Sequence, residues 1–182
     1  MASVSGGEKT VDYLAGLRAR LKKATVVRAG FPEGSTEADG TSLPLIAAVQ
    51  NFGAPGRGIP PRPFFTNAVR DGKATWGKRL ALEMKAANLD TQVALERLGS
   101  AVAGDIALAL IAITDPPLSP VTLLLRQRFP TRDGMTPKDV WKAFRDIANG
   151  ETPVTTATGG KPLVWSGQML QHLQGPQAYE VE

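Results

Sequence analysis

Residues 50–65 read QNFGAPGRGIPPRPFF, and this stretch divides the chain into elements more sharply than any other. Before it, Ser42 and Pro44 predict the start of a short apolar helix, and Gly53 can supply the positive φ with which helices commonly end. Three prolines between positions 60 and 63 then hold φ at about −65° and stiffen the chain. After them, the pattern predicts a long helix from Thr66 to about Asn88. The stretch is therefore a rigid connection between two helices.

Apolar residues spaced three and four apart predict further helices on both sides of this connection. The first is amphipathic, with Val11 and Leu14 on its apolar side. The helix that begins at Thr91 is apolar nearly all round in its last two turns, so we expect those turns to be central to the core. Ser119 and Thr136 each precede a proline, and Thr136 forms a potential capping box with Asp139. The predicted helices cover residues 8–23, 42–52, 66–88 and 91–113, two segments that begin at Ser119 and Thr136, and a short segment capped by Ser166.

Three short segments predict strands: Thr25 to Phe31, Pro162 to Trp165 and Ala178 to Glu182. Together with the helices they predict an α+β fold, a helix-rich single domain over 1–182 with a small antiparallel sheet. Residues 1–7 are expected to be a flexible N-terminus. Residues 119–160 are expected to be a helical elaboration followed by a connector.

Composition excludes several classes of protein. The chain has 182 residues, of which 42% are hydrophobic, so it can form a core. It has no cysteine, which excludes disulfides and cysteine metal sites. The longest apolar run, residues 106–113, falls far short of the roughly 20 residues that span a bilayer. The first residues lack the charged and apolar regions of a signal peptide, so we expect neither secretion nor membrane insertion.

Enzymatic chemistry finds little support in the residue types. His172 is the only histidine, which excludes a histidine metal cluster and leaves one base for any catalytic triad. The glycine-rich turns around Gly56 and Gly160 lack the pattern of a phosphate-binding loop. We therefore expect no catalytic residue, no cofactor site and no metal site.

Three motifs in order give a resemblance to a known family. They are the 50–65 stretch, residues 116–122 (PPLSPVT), and residues 161–170 (KPLVWSGQML) with the closing YEV at 179–181. This set resembles the minor tail and neck proteins of tailed bacteriophages. The resemblance implies a structural protein of the virion, in the neck or at the head-proximal end of the tail, assembled in the host cytoplasm. It implies a ring of identical subunits with portal or head-completion proteins on one side and tail terminator or tail tube proteins on the other.

The stiff Pro-Arg-Pro segment is the predicted docking edge of such a ring. In this hypothesis Arg62 reaches an acceptor on a neighbouring subunit, and Phe64 and Phe65 anchor the joint. The alternative is that both rings fill the chain's own core while Arg62 is solvated. The predicted interface residues are Phe52, Ile59, Pro60, Arg62, Pro63, Phe64, Phe65, Trp165 and Gln168.

Positive charge is concentrated between Arg57 and Lys85, where seven basic residues stand against two acids. A protein that rings a DNA conduit could border the phosphates with such a face, without reading sequence. The alternative is an ordinary solvated helix face. Two other functions stay open, a nonspecific DNA-binding protein and an assembly factor absent from the mature virion. The residues predicted to face DNA are Arg57, Arg70, Lys73, Lys78 and Arg79.

Overall fold

The computed structural model describes residues 7–37, 39–131, 134–154, 160–173 and 178–179. Within these ranges the chain is helix-rich, as predicted, and most helix ends lie within two residues of those expected from the sequence. A single 3-10 turn, Pro55–Arg57, lies in the glycine-rich connection. The helices are α1 Gly7–Leu21, α2 Leu43–Phe52, α3 Phe64–Ala86, α4 Thr91–Ala112, α5 Pro120–Arg128, α6 Pro137–Ala148 and α7 Gln168–Gln171.

The predicted sheet is much smaller than expected. The two described strands, β1 Val26–Val27 and β2 Ala178–Tyr179, pair antiparallel over two residues each. The third predicted strand, Pro162 to Trp165, is wrong. Its residues form a turn in which the backbone N–H of Val164 donates to Lys161 O at 3.3 Å. Apolar side chains suggested a strand there, but the backbone carbonyls of the segment face a buried arginine, Arg126, instead of a neighbouring strand. Residues 180–182 lie outside the described residues, as do residues 1–6 of the predicted flexible N-terminus.

The chain divides into two compact units, each built from separate segments. The first unit comprises Met1–Gly30, Arg70–Gly104 and Gly175–Glu182, and the second comprises Phe31–Val69 and Asp105–Gln174. The single domain predicted over 1–182 therefore consists of two clusters of contacts. α3 and α4 each contribute residues to both units.

In the first unit, the end of α1 is fixed to the turn between α3 and α4. Arg20 donates to the backbone carbonyl of Asn88 at 2.9 Å, and Thr91 Oγ1 accepts from the backbone N–H of Ala24 at 3.0 Å. Ala24 belongs to a small core with Leu95 and Leu98. α1 itself forms as predicted, but none of its residues is buried. Its apolar face therefore contributes little to this core.

Gly72 on α3 has a packing reason that the sequence did not reveal. A glycine in the interior of a helix is destabilising by itself. In the first unit the indole of Trp76 lies directly against Gly72, where a Cβ atom would collide with the ring. The glycine thus lets Trp76 pack along its own helix, and Trp76 in turn contacts the Leu95 and Leu98 core.

The largest fully buried side chains of the described residues all lie in the second unit. Ile106 and Leu110 on the last turns of α4 are almost fully buried, which confirms that this segment lies in the core. Leu108, on the same turns, is exposed, so the core covers only part of the helix surface. α5 and α6 pack together around Leu124, Leu125 and Ala143. The caps predicted at Ser119 and Thr136 are confirmed, since Ser119 Oγ accepts from Thr122 N–H and Thr136 forms its capping box with Asp139. Ser42 makes no side-chain hydrogen bond at the start of α2, and the N-cap of α7 is Gly167 instead of Ser166.

Candidate interaction surface

α2 presents an apolar outer side that carries no charge. Leu45, Ala48 and Phe52 follow one another at spacings of three and four, so they lie on one side of the helix. Phe52 is 73% exposed and Leu45 is 59% exposed. The opposite side, with Leu43 and Ala47, is buried. No lysine, arginine, aspartate or glutamate occurs in Leu43–Phe52. We call Leu45, Ala48 and Phe52 the α2 face.

Asn51, next to Phe52, fixes the end of α2 to the start of α3. Its Oδ1 accepts from the backbone N–H groups of Phe65 at 3.0 Å and Thr66 at 3.1 Å. Its Nδ2 donates to Thr66 Oγ1 at 2.8 Å. The first N–H groups of a helix have no partner within the helix, so Asn51 supplies this cap from outside α3. Asn51 is almost completely buried, so these hydrogen bonds form inside the protein and tie the end of α2 to the start of α3.

Arg62 is the second buried polar residue of this frame. It is 6% exposed, and burial lowers the pKa of its guanidinium below the ordinary value. Nη2 donates to the carbonyl oxygens of Pro116 at 3.1 Å and Pro117 at 3.4 Å, and Nη1 donates to Gln50 Oε1 at 3.2 Å. The Arg62 backbone N–H donates to Gln50 O at 2.7 Å. One side chain thus joins two of the three motifs that carry the family resemblance.

The Pro-Arg-Pro-Phe segment lies largely inside the second unit. Phe64 is fully buried and meets the rings of Phe31 and Phe65 edge-on at 6.3 Å and 6.4 Å. The prediction that Arg62 and Phe64 contact a neighbouring subunit is therefore corrected. Both side chains are used within the chain, because the prolines turn them inward. Of the other predicted interface residues in this stretch, Phe52 and Pro60 are exposed, and Ile59, Pro63 and Phe65 are half-buried.

Gly53 allows a close approach between the end of α2 and the proline segment at residues 60–63. Gly53 has φ 77°, as its position at the end of α2 predicts. A Cβ at this position would lie 2.9 Å from the nitrogen of Pro61. The glycine therefore allows the proline segment to pass directly over the end of α2.

The C-terminal motif is also organised by a buried arginine. Arg126 on α5 donates through Nη1 to Lys161 O at 2.6 Å and Val164 O at 2.9 Å, and through Nη2 to Pro162 O at 2.7 Å. Its guanidinium lies over the Trp165 ring at 5.3 Å. Trp165 is half-buried and donates through Nε1 to Phe129 O at 2.9 Å. Trp165 is therefore held mainly by contacts within the chain.

A cavity of about 90 Å³ lies beside this motif in the second unit. Ser166 Oγ donates to the Glu37 carboxylate there, at 3.2 Å and 3.3 Å from its two oxygens. Gln50 and Arg126 also line the cavity. Ligand pockets commonly measure about 300–1,000 Å³, so this space suits a few water molecules and not a cofactor or substrate. Gln168, the remaining predicted interface residue, is half-buried at the start of α7.

The predicted DNA-facing residues do not form one continuous face. All five are exposed, but Arg57 belongs to the second unit and the other four belong to the first. Along α3, Arg70 and Lys78 are eight residues apart and lie on one side, whereas Arg79 is nine residues from Arg70 and faces the opposite side. Arg70 is also paired with Asp71 at 2.9 Å. The basic residues of α3, which are close together in the sequence, are therefore distributed around the helix.

The one histidine and the carboxylates of the described residues do not come together as a metal-ligand cluster. Among them no group of three or more histidine, cysteine, aspartate and glutamate side chains could hold a metal ion. His172 lies 3.0 Å from the carbonyl oxygen of Gln168 through Nδ1, one turn back in the chain. No helix in these ranges is both long and apolar enough to cross a bilayer. What the second unit does offer is an exposed apolar face on a rigid frame.

Sequence reasoning missed the two residues that organise this frame besides Arg62. Asn51 had a signal, because an asparagine on the buried side of an apolar helix needs partners for its amide. Arg126 had a weaker signal, since it directly follows three leucines, and Leu124, Leu125 and Arg126 are all buried in α5. Neither signal identifies the backbone groups that these side chains bind, because the partners lie 14 to 38 residues away.

Comparisons of the chain with protein-family models, with curated protein sequences and with solved structures find no match.

Proposed function

We propose that this chain is a structural protein of a tailed-phage virion, located in the neck or at the head-proximal end of the tail. It acts there as a ring of identical subunits that joins head and tail. The observation that carries the proposal is the α2 face, an exposed apolar surface without charge. That surface is held by Asn51 and Arg62, which lie in or bind the motifs that resemble phage neck proteins.

The mechanism in this proposal is binding alone. Phe52 is a large, exposed ring on a helix that is fixed at both ends, so little conformational entropy is lost when a partner covers it. Each contact can be weak, because a closed ring repeats it around the symmetry axis. The partners are a second copy of the chain, a portal or head-completion protein, and a tail terminator or tail tube protein.

Electron microscopy of a phage with a nonsense mutation in this gene tests the proposal. In a nonsuppressing host we expect filled heads and separate tails. Wild-type protein supplied from a plasmid restores joined particles, and Phe52→Asp does not. Leu82→Asp is the matched control, because Leu82 is similarly exposed but lies on α3 in the first unit. Normal infectious particles from the nonsense mutant would exclude the structural role.

A nonspecific DNA-binding protein is the second candidate, and the distribution of charge favours it. The first unit holds twelve lysines and arginines against eight acids, whereas the second unit holds nine of each. The net charge of +4 therefore belongs to the first unit. An assembly factor is a third candidate, and detection of the protein in purified virions would exclude it.

A further inference from the structure

α1 has an apolar side that the described residues of the first unit leave exposed. Val11 is 64% exposed and Leu14 is 54% exposed, and no residue of the helix is buried. Together with Ala15 and Ala19 they line a shallow groove along the helix. An amphipathic helix is stable in water when its apolar side is covered, so this side is an interaction surface.

The first half of this surface is acidic. Glu8 and Asp12 are exposed and lie one turn apart, and Glu8 is three residues before Val11, so the two acids border the apolar side. Arg18 and Lys22 border the groove further along. The surface therefore combines an apolar, acidic first half with a basic second half. We call Glu8, Val11, Asp12 and Leu14 the α1 surface.

α6 has the complementary arrangement on its outer side. Its inner side, with Val140, Ala143 and Ile147, packs in the second-unit core. On the outer side Trp141 is 75% exposed and Phe144 is 54% exposed, with their ring centroids 6.3 Å apart. Three exposed cations border the two rings, and we call all five residues the α6 surface: Lys138, Trp141, Lys142, Phe144 and Arg145.

The acids of α6 do not neutralise these cations in full. Asp139 caps its own helix by accepting from the backbone N–H and the hydroxyl of Thr136. Asp146 pairs with Arg128 at 2.7 Å. Both carboxylates are thus committed to contacts at the ends and inner edge of α6. The α6 surface is aromatic and basic.

We propose that the α1 surface of one subunit packs against the α6 surface of a second copy of the chain. Val11 and Leu14 would meet Trp141 and Phe144, while Glu8 and Asp12 would meet the cations of α6. Because the two surfaces differ, the contact is head-to-tail, and repetition of such a contact produces a closed ring or a filament. This contact would build the ring of the proposed function, and it rests on that proposal only for the closing of the ring.

Charge favours the α1 surface of a second copy over other partners of the α6 surface. An α6–α6 pair would bring cations against cations, which is unfavourable. The second unit has as many acids as bases, so it has no net charge to attract a nucleic acid or an anionic membrane from a distance. The lengths also fit, since helices of 15 and 12 residues are about 22 Å and 18 Å long. Arg18 and Lys22 fix the register, because they repel the α6 cations when the helices slide.

Sedimentation velocity of the full chain and two variants tests the contact. The α1 variant carries Glu8→Lys and Asp12→Lys, and the α6 variant carries Trp141→Ala and Lys142→Glu. We expect wild-type protein at tens of micromolar to form species larger than a dimer, and each variant alone to be a monomer. An equimolar mixture of the two variants retains one intact pair of surfaces, so it forms heterodimers and nothing larger.

Controls separate this contact from folding defects and from the proposed function. Circular dichroism melts confirm that both variants are folded, and Lys85→Glu, on the exposed part of α3, leaves association unchanged. A monomeric wild type, a mixture without heterodimers, or dimers of the α1 variant alone would each overturn the contact. A phage mutant with separated heads and tails would still support the neck role after any of these results.

Discussion

Single buried polar side chains hold the interaction frame together by binding backbone groups. Asn51 caps a helix that begins 13 residues later, and Arg62 and Arg126 bind carbonyl oxygens in segments far away in sequence. A buried donor or acceptor without a partner costs more free energy than a formed hydrogen bond contributes. These residues therefore specify one arrangement of the chain, because alternative packings leave them unsatisfied.

Asn51→Ala should lower the free energy of unfolding by about 1–3 kcal/mol, because two N–H groups at the start of α3 lose their acceptor. Urea unfolding measures this change. Thr66→Ala is the matched control, since it removes only the bond to Asn51 Nδ2. Thr66 is exposed, so water can replace its hydroxyl and the change should cost less than about 1 kcal/mol. Equal losses for the two variants would contradict the capping role.

Arg62→Ala should destabilise the fold by about 2–4 kcal/mol, because the carbonyls of Pro116 and Pro117 lose a charged donor and the buried space is left open. Arg62→Lys should recover less than half of the loss, since an ammonium cannot reach all the acceptors of the planar guanidinium. Thermal melts of both variants provide the measurement. Wild-type stability in Arg62→Ala would restore the original prediction of a surface contact.

The outcome at Arg62 shows how far the sequence could be interpreted. Local spacing predicted the stiff segment, the helix on each side of it and the role of Gly53, because these depend on near neighbours. The direction of Arg62 and Phe64 depends on residues 31 and 116, which no local pattern connects to them. The third strand failed for the same reason, since Arg126 claims its carbonyls from 35 or more residues away.

At the scale of elements, α6 is stabilised by its cap as well as by its packing. Hydrogen bonds from the Thr136 side chain and backbone lower the pKa of Asp139. A carboxyl whose pKa is lower in the folded state stabilises the fold above its unfolded pKa and loses that effect as the pH falls. The cap is therefore strongest at neutral pH and weakens in acid.

Asp139→Ala should lower the melting temperature at pH 7, and the difference from wild type should shrink as the pH falls below about 4. Melts at intervals from pH 7 to pH 2.5 follow this difference. The hydrogen bond from Lys23 lowers the pKa of Asp90 as well. Asp90→Asn should therefore reduce the fall in melting temperature between pH 7 and pH 2.5, independently of Asp139. A difference that stays constant with pH would exclude the charged cap.

At the scale of the whole molecule, charge and apolar surface are divided between the two units. The first unit carries the net positive charge, and the second carries the α2 face. Composition indicated the charge but not the division, because each unit is assembled from distant segments. In the proposals made above, the second unit, which has no net charge, contacts a protein through the α2 face, and the basic first unit is the one suited to a polyanion.

Binding of duplex DNA by the isolated chain should be weak, nonspecific and dependent on the first unit. We expect dissociation constants of about 10⁻⁴–10⁻⁶ M near physiological salt and a loss of affinity as salt is raised. Lys78→Ala with Lys85→Ala should weaken binding, whereas Arg57→Ala, in the second unit, should not. Fluorescence anisotropy with a labelled duplex measures the affinity of the wild type, the double variant and Arg57→Ala. An equal loss of affinity in the two variants would place the DNA contact elsewhere.

The order of the segments along the chain has a consequence for synthesis on the ribosome. β2 pairs with β1, which is made more than 150 residues earlier. Every described residue of the second unit leaves the ribosome before β2 does. Translation therefore produces the described residues of the second unit first, and the β1 edge of the first unit can pair only once residues 178–179 have been made. A ribosome paused before residue 178 should hold a chain whose α2 face is already organised and whose first unit is incomplete.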